Sequence, residues 1–453
     1  MAIATHNPAT GETLRTFAAL DDTQVRAILQ RVSDARAPWA AQPVGARVAC
    51  LRRTGQLLRE RRDQYAALIT LEMGKAIREA RAEVEKCAWG CEYYAEHAAS
   101  LLADELIASD ASRSLVAYQP LGTLLAIMPW NFPFWQLLRA AVPALAAGNT
   151  VLLKHASNVP QCALAIEEVF RDALPPDVLR TLLVGPELVE MLIADPRIHA
   201  VTLTGSEAAG RQVAATTGRH LKKSVLELGG SDAFVVLADA DLDETARIAV
   251  AARFQNSGQS CIAAKRLILV PEIAEEFLTR FINRLEQLKQ GDPKQETTDL
   301  GPMARPDLRN QLHRQVTESI NKGAVKLLGC EPASGPGYFY QVSLLDRVQP
   351  GMPAYEQELF GPVATVIRAR DEADALRIAN DNRYGLGGSV WTRDLQRGEA
   401  FARAMQCGQA FVNGMVKSDP RLPFGGIKAS GYGRELGLHG MREFVNAKTI
   451  WIK

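Results

Sequence analysis

Apolar residues recur at intervals of three and four along the first hundred residues, which is the spacing of amphipathic helices. This pattern predicts helices over residues 21–36 and 46–103, with their charged runs on the solvent side. Farther along, apolar runs of strand length alternate with helical patterns, as at 150–154 before 162–172 and at 200–204 before 208–216. Such alternation is typical of a parallel sheet covered by helices, so we predict an α/β fold.

The alternation resumes after residue 230 with a strand at 233–237, a helix at 242–257 and a strand at 266–270. A long amphipathic helix is predicted at 272–290. A proline- and glycine-marked connection then leads into a second αβ run that ends near residue 413. Because 453 residues exceed what one hydrophobic core usually supports, two or more structural units are expected.

Composition excludes several classes of partner. The chain is 47% apolar and 23% charged, and its net charge of +1 gives no electrostatic footprint for nucleic acid or a membrane surface. No leader pattern stands at the start, and the most apolar window is interrupted by Arg139 and Pro143, so we expect no membrane span. Seven cysteines without C-x-x-C spacing indicate a reducing, cytoplasmic location, and no metal site is predicted.

A polar, glycine-containing stretch at residues 254–264 carries the first candidate for chemistry, Cys261. A thiol that acts as a nucleophile needs partial exposure and a polar setting, which the preceding residues 256–260 can provide. A lone cysteine is also a common core residue, so this stretch alone leaves packing open as an alternative.

Two further residues strengthen the case for catalysis. Glu227 lies between apolar residues, and two glycines follow Leu228. This setting raises a carboxylate pKa and suits a general base, although a solvated glutamate at a turn is the alternative. Asn131 stands between Pro129 and Pro133, which can aim its amide or simply shape an aromatic loop. Together with Cys261, these residues form a nucleophile, a base and an oxyanion donor.

Seven motifs in order make the chain resemble the aldehyde dehydrogenase superfamily along nearly its whole length, most of all its shorter succinate-semialdehyde dehydrogenases. The motifs are NPATGE at 7–12, PWNFP at 129–133, the glycine pair Gly205 and Gly210, ELGG at 227–230, GQSC at 258–261, ELFGPV at 358–363 and PFGG at 423–426. The resemblance implies a Rossmann-type cofactor domain at 1–101 and 121–229 and an α/β catalytic domain at 230–425. It also implies a small antiparallel oligomerisation arm with the C-terminal tail, 102–120 and 426–453, in a homodimer or homotetramer.

The resemblance also assigns roles to individual residues. Cys261 would attack an aldehyde to give a thiohemiacetal, whose oxyanion the Asn131 amide and the Cys261 N–H would hold. Glu227 would then activate the water that hydrolyses the thioester to a carboxylic acid. The implied cofactor-binding residues are Trp130, Lys154, Ser157, Gly205, Ser206, Gly210, Leu228, Glu358 and Phe360. The spacing of Gly205 and Gly210 is by itself also compatible with an ordinary helix start.

The substrate implied by the resemblance is a short aldehyde with a distal carboxylate, most of all succinate semialdehyde. Arg139 interrupts an apolar helical face and can clamp a carboxylate bidentately, with an internal salt bridge as the alternative. Related enzymes place a serine near Ser418, and some carry a second arginine where this chain has Gln255. That departure leaves glutarate semialdehyde or an uncharged aldehyde open.

Two other classes of function are weighed against this one. A catalytically silent, cofactor-binding paralogue would not need Cys261, Glu227 and Asn131 together. A thiol hydrolase using Cys261 alone would lack a histidine partner near the motif and would leave the glycine pair unexplained.

A single position predicts the cofactor. Ser157 stands where many NAD-preferring relatives carry a glutamate, whose charge would repel a 2′-phosphate by about 4 kcal/mol at roughly 4 Å. We therefore expect a preference for NADP, with NAD also possible, and expect Ser157→Glu to shift the preference toward NAD. The check is kcat/KM with each cofactor in both proteins. Equal or better kcat/KM with NAD in the unmodified protein would contradict this prediction.

Overall fold

A computed structural model describes residues 2–453 as an assembly of helices around three principal sheets. The strands are β1 (Ile3–His6), β2 (Thr13–Phe17), β3 (Glu105–Leu106), β4 (Arg113–Pro120), β5 (Thr123–Met128), β6 (Thr150–His155), β7 (Leu179–Thr181), β8 (Ala200–Thr204), β9 (Lys223–Glu227), β10 (Ala233–Val236), β11 (Arg266–Leu269), β12 (Val325–Leu328), β13 (Ser343–Asp346), β14 (Val363–Arg368), β15 (Tyr384–Gly385), β16 (Gly387–Trp391), β17 (Gln409–Val412), β18 (Ile427–Lys428), β19 (Gly431–Tyr432) and β20 (Val445–Ile452). The α-helices are α1 (Asp22–Ala40), α2 (Val44–Glu60), α3 (Arg62–Met73), α4 (Ile77–Leu101), α5 (Trp135–Ala146), α6 (Pro160–Arg171), α7 (Val189–Ala194), α8 (Glu207–Arg219), α9 (Leu242–Phe254), α10 (Ala274–Leu285), α11 (Pro306–Asn321), α12 (Pro353–Glu356), α13 (Glu372–Asn380), α14 (Leu395–Ala404) and α15 (Gly437–Glu443).

The first large sheet has six strands in the order β19-β9-β8-β5-β6-β7. All neighbours are parallel except β19, which runs antiparallel to β9 at the edge. Because β5 lies between β6 and β8, the chain reverses its direction of travel across the sheet at β5. The carboxyl ends of β5 and β8 therefore border the crevice where such sheets bind ligands.

The second large sheet has seven strands in the order β12-β13-β14-β11-β10-β16-β17, again parallel apart from the edge strand β12. Its central strands β10, β11 and β16 are buried on both faces, as parallel strands between helical layers are. The predicted α/β class is confirmed by these two sheets and their covering helices.

A third, antiparallel sheet joins β20 to β4 and β4 to β3. The β20–β4 ladder pairs eight residues, from Val445 opposite Pro120 to Ile452 opposite Arg113. Two short strands of the predicted tail range pack elsewhere, because β18 pairs with β15 and β19 pairs with β9. The domain boundaries themselves remain a prediction. No helix within residues 2–453 is both long and apolar enough to cross a bilayer.

Several predicted helices end earlier than their periodicity indicated. The helix expected over 242–257 stops at Phe254, since Asn256 and Ser257 adopt left-handed backbone conformations with φ of 57° and 54°. The helix expected over 46–103 is three helices, separated near Arg61 and at Gly74, whose φ is 79°. The spacing of apolar residues indicates which face of a helix is buried. It does not show where the backbone leaves the helical conformation, so it did not predict these helix ends.

Arg253, at the end of α9, is completely buried and ties two loops together. Its guanidinium donates to the carbonyls of Gly258 at 3.3 Å, Leu359 at 2.9 Å, Gly361 at 2.5 Å and Val363 at 2.8 Å. Burial lowers the pKa of Arg253 to about 9. One cation thus fixes the loop before Cys261 against the loop that carries Glu358 and Phe360.

Replacing Arg253 is expected to destabilise the protein through those carbonyls. Arg253→Met keeps most of the volume but leaves buried acceptors unpaired, at about 1–3 kcal/mol for each. We expect a lower urea midpoint by equilibrium unfolding, with Arg52→Met, at an exposed position of α2, as the control. An unchanged midpoint in Arg253→Met would show that the four hydrogen bonds do not hold the loops.

Candidate active site

A cleft of about 760 Å³ opens at the crevice beside β5 and β8. Trp130 and Asn131, which follow β5, form one part of its wall, and Gly205 and Ser206, which follow β8, form another. Its volume lies in the range of cavities that hold cofactors.

A second cavity, of about 220 Å³, lies between α4, α5 and the residues around 255–262. Cys261 and Gln136 line both cavities. The cysteine therefore stands at the junction of a large cleft and a smaller cavity, where groups held in the two spaces would meet at its sulfur.

The backbone before Cys261 is held in an unusual conformation. Asn256, Ser257 and Gly258 are three consecutive left-handed residues, with φ of 57°, 54° and 71°. Asparagine and glycine tolerate this region, whereas serine does so at a cost that the surroundings must offset. The Asn256 N–H donates to the Glu79 carboxylate at 2.9 Å, and the Ser257 hydroxyl donates to the Gly301 carbonyl at 3.0 Å.

The Asn131 amide is oriented by two hydrogen bonds. Its Nδ2 donates to the Gln259 carbonyl at 3.1 Å, and its Oδ1 accepts from Gln136 Nε2 at 3.4 Å. An amide nitrogen carries two hydrogens, so one remains for a ligand. Asn256 Nδ2 also donates to the Asn131 carbonyl at 2.8 Å and joins the predicted oxyanion donor to the cysteine loop.

The surroundings of Cys261 disfavour its thiolate form. Burial raises the pKa of Cys261 to about 12, although the positive charges of Arg139 and Lys265 act in the opposite direction. Lys265 donates to the carbonyls of Ser260 and Cys261, both at 2.6 Å, and forms an ion pair with Glu358 at 3.0 Å. Sequence reasoning missed Lys265, whose only signal was a lysine preceding the apolar strand β11.

Glu227 ends β9 and is 1% exposed. Neither of its carboxylate oxygens accepts a hydrogen bond from the described residues. Burial raises the pKa of Glu227 well above its usual range, and the charge of Glu435 adds to this, while Arg139 and Arg434 act against it. An unpaired carboxylate with a raised pKa is a competent proton acceptor.

The structure gives Arg139 an internal partner. Its guanidinium forms a buried ion pair with Glu435, donates to Thr204 Oγ1 at 3.2 Å and lies 4.6 Å from the centre of the Phe424 ring. This is the internal salt bridge that stood as the alternative to a carboxylate clamp. Arg139 lines the smaller cavity, but Glu435 already compensates its charge. No sequence feature predicted Glu435 as the partner, because it lies almost three hundred residues farther along the chain.

The other two predicted substrate residues, Gln255 and Ser418, both line the smaller cavity. The Gln255 Nε2 is buried and has no hydrogen-bond acceptor among residues 2–453. The Ser418 Oγ accepts from Lys86 Nζ at 2.7 Å and from Trp135 Nε1 at 3.0 Å.

The predicted cofactor residues divide into two groups. The residues that line the cleft are Trp130, Lys154, Gly205, Ser206, Leu228, Glu358 and Phe360. Ser157 and Gly210 are not part of its wall, whereas Ala156 is. A Cβ on Gly210 would lie 2.6 Å from both Leu228 methyls, so this glycine allows α8 to approach Leu228.

Although serine is a favoured helix cap, Ser157 does not start the helix that follows it. The helix α6 begins at Pro160 after Val159, and the Ser157 carbonyl accepts from the Ala4 N–H at 3.0 Å. A proline at the first helical position explains the late start, because its missing N–H costs the helix nothing there.

The polar groups of the cleft fit a dinucleotide. The amino end of α8, together with the Lys154 ammonium, provides groups that bind phosphate oxygens. The Glu358 carboxylate accepts from the Gly230 N–H at 3.2 Å and keeps acceptor capacity for hydroxyls. The Trp130 and Phe360 rings meet edge to face with centroids 5.8 Å apart. No cluster of three metal-ligating side chains occurs in the part of the chain that the structure describes.

Comparison with known proteins agrees with this site. A probable succinate-semialdehyde dehydrogenase [NADP(+)] from Synechocystis is 52% identical over 453 residues, covering all of both chains. Succinate-semialdehyde dehydrogenase [NADP(+)] 1 of Mycobacterium tuberculosis is 48% identical over 456 residues, again over all of both. The crystal structure of succinic semialdehyde dehydrogenase from Streptococcus pyogenes in complex with NADP+ matches with a TM-score of 0.98 at 36% identity, covering 100% of each chain. The sequence profile described as the aldehyde dehydrogenase family matches residues 1–450. The chain therefore belongs to the aldehyde dehydrogenase family.

Proposed function

We propose that this protein oxidises succinate semialdehyde to succinate with NADP. The observation that carries the proposal is the position of Cys261, whose side chain borders both the large cleft and the smaller cavity. An aldehyde in the smaller cavity and a cofactor in the cleft would both reach this sulfur. The names of the two relatives described above support the choice of substrate and cofactor.

The first step is attack by the Cys261 sulfur on the aldehyde carbon, which forms a C–S bond and leaves an oxyanion. The thiol proton has to leave, because burial raises the pKa of this group to about 12. The remaining N–H of Asn131 and the backbone N–H of Cys261 are the donors for the oxyanion. One such donor is typically worth on the order of 10²–10³ in rate.

When bound, the nicotinamide cofactor supplies the two-electron acceptor of the oxidation. Lys154 and the amino end of α8 would hold its phosphates, and Glu358 would hold hydroxyls of the sugar beside the ring. Ser157 does not line the cleft itself but follows Ala156, which does, and a serine there in place of a carboxylate favours NADP over NAD.

The second step is hydrolysis of the thioester, in which Glu227 removes a proton from the attacking water. Both Glu227 oxygens are free for this, and its raised pKa makes it a stronger base than an exposed glutamate once it is ionised. Glutarate semialdehyde or an aliphatic aldehyde remains the alternative substrate, since Gln255 stands where some relatives carry an arginine.

The quaternary structure belongs to the same proposal. The three-stranded arm exposes large apolar side chains, among them Leu106, Ile107, Trp451 and Ile452. An uncovered apolar edge promotes association, so pairing of the arm with a partner subunit in a homodimer or homotetramer would bury it.

All seven cysteines are free, which agrees with a reducing, cytoplasmic location.

The substrate is tested with a panel of aldehydes and both cofactors. We expect the highest kcat/KM for succinate semialdehyde with NADP, followed by glutarate semialdehyde, with neutral aliphatic aldehydes lowest. The measurement is formation of reduced cofactor by its absorbance. A higher kcat/KM for a neutral aldehyde than for either semialdehyde would overturn the substrate assignment but leave the aldehyde dehydrogenase chemistry intact.

Glu227→Gln separates the two chemical steps. This change keeps the side-chain shape but removes the base, so a first-turnover burst of reduced cofactor should persist while steady-state turnover falls by about 10²–10⁴-fold. Cys261→Ala is the matched control, because it removes the nucleophile and should abolish the burst as well. Stopped-flow absorbance measures both phases. Normal steady-state turnover in either variant would contradict the assigned roles.

A further inference from the structure

Lys265 is a buried cation that the proposed reaction does not use. It directly precedes β11 and is 1% exposed. Its backbone carbonyl accepts from both the N–H and the hydroxyl of Thr365 on β14, at 3.2 and 2.7 Å. Because β11 and β14 are neighbouring strands of the second sheet, the point from which this side chain extends is fixed.

The Lys265 ammonium joins two loops. Its Nζ donates to the carbonyls of Ser260 and Cys261, both at 2.6 Å, and pairs with Glu358 Oε1 at 3.0 Å. A lysine ammonium carries three hydrogens, so these three contacts use all of them. Lys265 therefore has no donor left for a ligand, and its contacts lie within the protein, on the cysteine loop and on a residue that lines the large cleft.

Glu358 is held by one of its two carboxylate oxygens. Its Oε1 accepts from the Gly230 N–H at 3.2 Å in addition to its ion pair with Lys265. Both contacts use Oε1, which leaves Oε2 for a group in the cleft. A Cβ at position 229 would lie 2.6 Å from Oε2, so Gly229 allows the carboxylate to lie against the backbone. Lys265 and one backbone N–H thus fix the position of this carboxylate.

Charges of both signs act on the Cys261 thiol. Burial raises the pKa of this thiol, the cations Arg139 and Lys265 lower it, and the carboxylates Glu358 and Glu227 raise it. Since the thiolate is the reactive form, a cation bound to the carbonyl of the same residue favours reaction. Loss of Lys265 and loss of Glu358 should therefore change the reactivity of this sulfur in opposite directions.

We propose that Lys265 is a positioning residue that sets both the reactivity of Cys261 and the placement of Glu358. One ammonium holds the carbonyl of the nucleophile and the carboxylate that faces the cofactor cleft, so a shift of either group weakens its contact with Lys265. The inference rests on the proposed function, because it takes Cys261 as the nucleophile and Glu358 as the residue that holds the cofactor sugar. Lys265 acts only through these two residues, since its three hydrogens are engaged.

The first test measures the Cys261 thiol without cofactor, by its rate of alkylation with iodoacetamide near pH 8. Lys265→Gln keeps an amide donor for the carbonyls but removes the charge, so alkylation should slow by on the order of tenfold. Lys265→Arg, which keeps the charge, should restore part of the rate. Glu358→Gln removes a carboxylate and should speed alkylation. Mass spectrometry of the labelled peptide assigns the reaction to Cys261.

The second test measures the Kd of NADP by isothermal titration calorimetry. In Lys265→Gln, the Glu358 carboxylate keeps the Gly230 N–H but loses its ion pair, so it is less well fixed for a ligand. The Kd should therefore rise by about three- to tenfold, and Lys265→Arg should lie closer to the unmodified protein. A substitution with no donor free for a ligand should thus change both the thiol and the cofactor affinity.

Arg266→Gln is the matched control, because Arg266 is the next residue along the chain and is buried as well. Its guanidinium donates to three carbonyls outside the cysteine loop, those of Ser231, Ile378 and Ala379. Its loss should lower the melting temperature but change the alkylation rate and the Kd of NADP by less than about twofold.

Four results would overturn the role of Lys265. They are an unchanged alkylation rate in Lys265→Gln, an equal slowing in Arg266→Gln, slower alkylation in Lys265→Gln with an unchanged Kd for NADP, and a slowing that Lys265→Arg does not relieve. Glu358→Gln keeps the proposal testable if Lys265→Gln does not fold, because slower or unchanged alkylation in that variant would contradict it.

Turnover of the alkylated, otherwise unmodified enzyme separates this inference from the proposed function. If protein labelled at Cys261 still oxidises succinate semialdehyde, the proposed function fails and the role of Lys265 fails with it. If labelling abolishes turnover, but Lys265→Gln is alkylated and binds NADP as the unmodified protein does, the proposed function stands and only the role of Lys265 is wrong.

Discussion

The fixed backbone of the loop before Cys261 is the constraint on which the rest of the site depends. Three consecutive left-handed residues turn the chain sharply at the end of α9. Such a turn persists only where tertiary contacts outweigh its strain. Here Glu79 holds it from α4, Arg253 from α9 and Gly301 from a distant connection. The sulfur is thereby placed where the two cavities meet.

Buried charges around this loop are nearly all compensated inside the protein. Lys265 pairs with Glu358 and donates to two carbonyls of the cysteine loop, and Arg139 pairs with Glu435. Removing a charge from water is costly unless a partner is close, so these pairs fix the geometry of the groups that carry them. Two groups are exceptions among residues 2–453. The Glu227 carboxylate accepts no hydrogen bond, and no carboxylate lies within 4.0 Å of the ammonium of Lys86, a residue of α4 that donates to Ser418 Oγ.

The sheet topology explains why residues distant in sequence meet here. The chain crosses the six-stranded sheet in one direction from β5 to β7 and in the other from β8 to β9. The loops after β5 and β8 consequently border one crevice, and Glu227 ends the neighbouring β9. The second sheet contributes the cysteine loop and the loop with Glu358 to the opposite wall. The cleft is therefore lined by loops from both the six-stranded and the seven-stranded sheet.

The sequence by itself determined the fold class, the family and the identity of the reacting groups. Alternating strand and helix patterns follow from burial along the chain, so they predict the fold class. The residues next to Cys261, Glu227 and Asn131 in the sequence were enough to identify these three as reacting groups. Only the tertiary structure decided which cations are free. Arg139 interrupts an apolar helix face in the way a ligand-binding arginine would, but Glu435 pairs with it from the far end of the chain. In the sequence, Lys86 looks like any other charged residue of a long amphipathic helix. In the structure, it lines the smaller cavity without a counter-ion. The physical reason is that the state of a buried charge depends on which groups lie within a few ångströms of it, and long-range folding sets those neighbours.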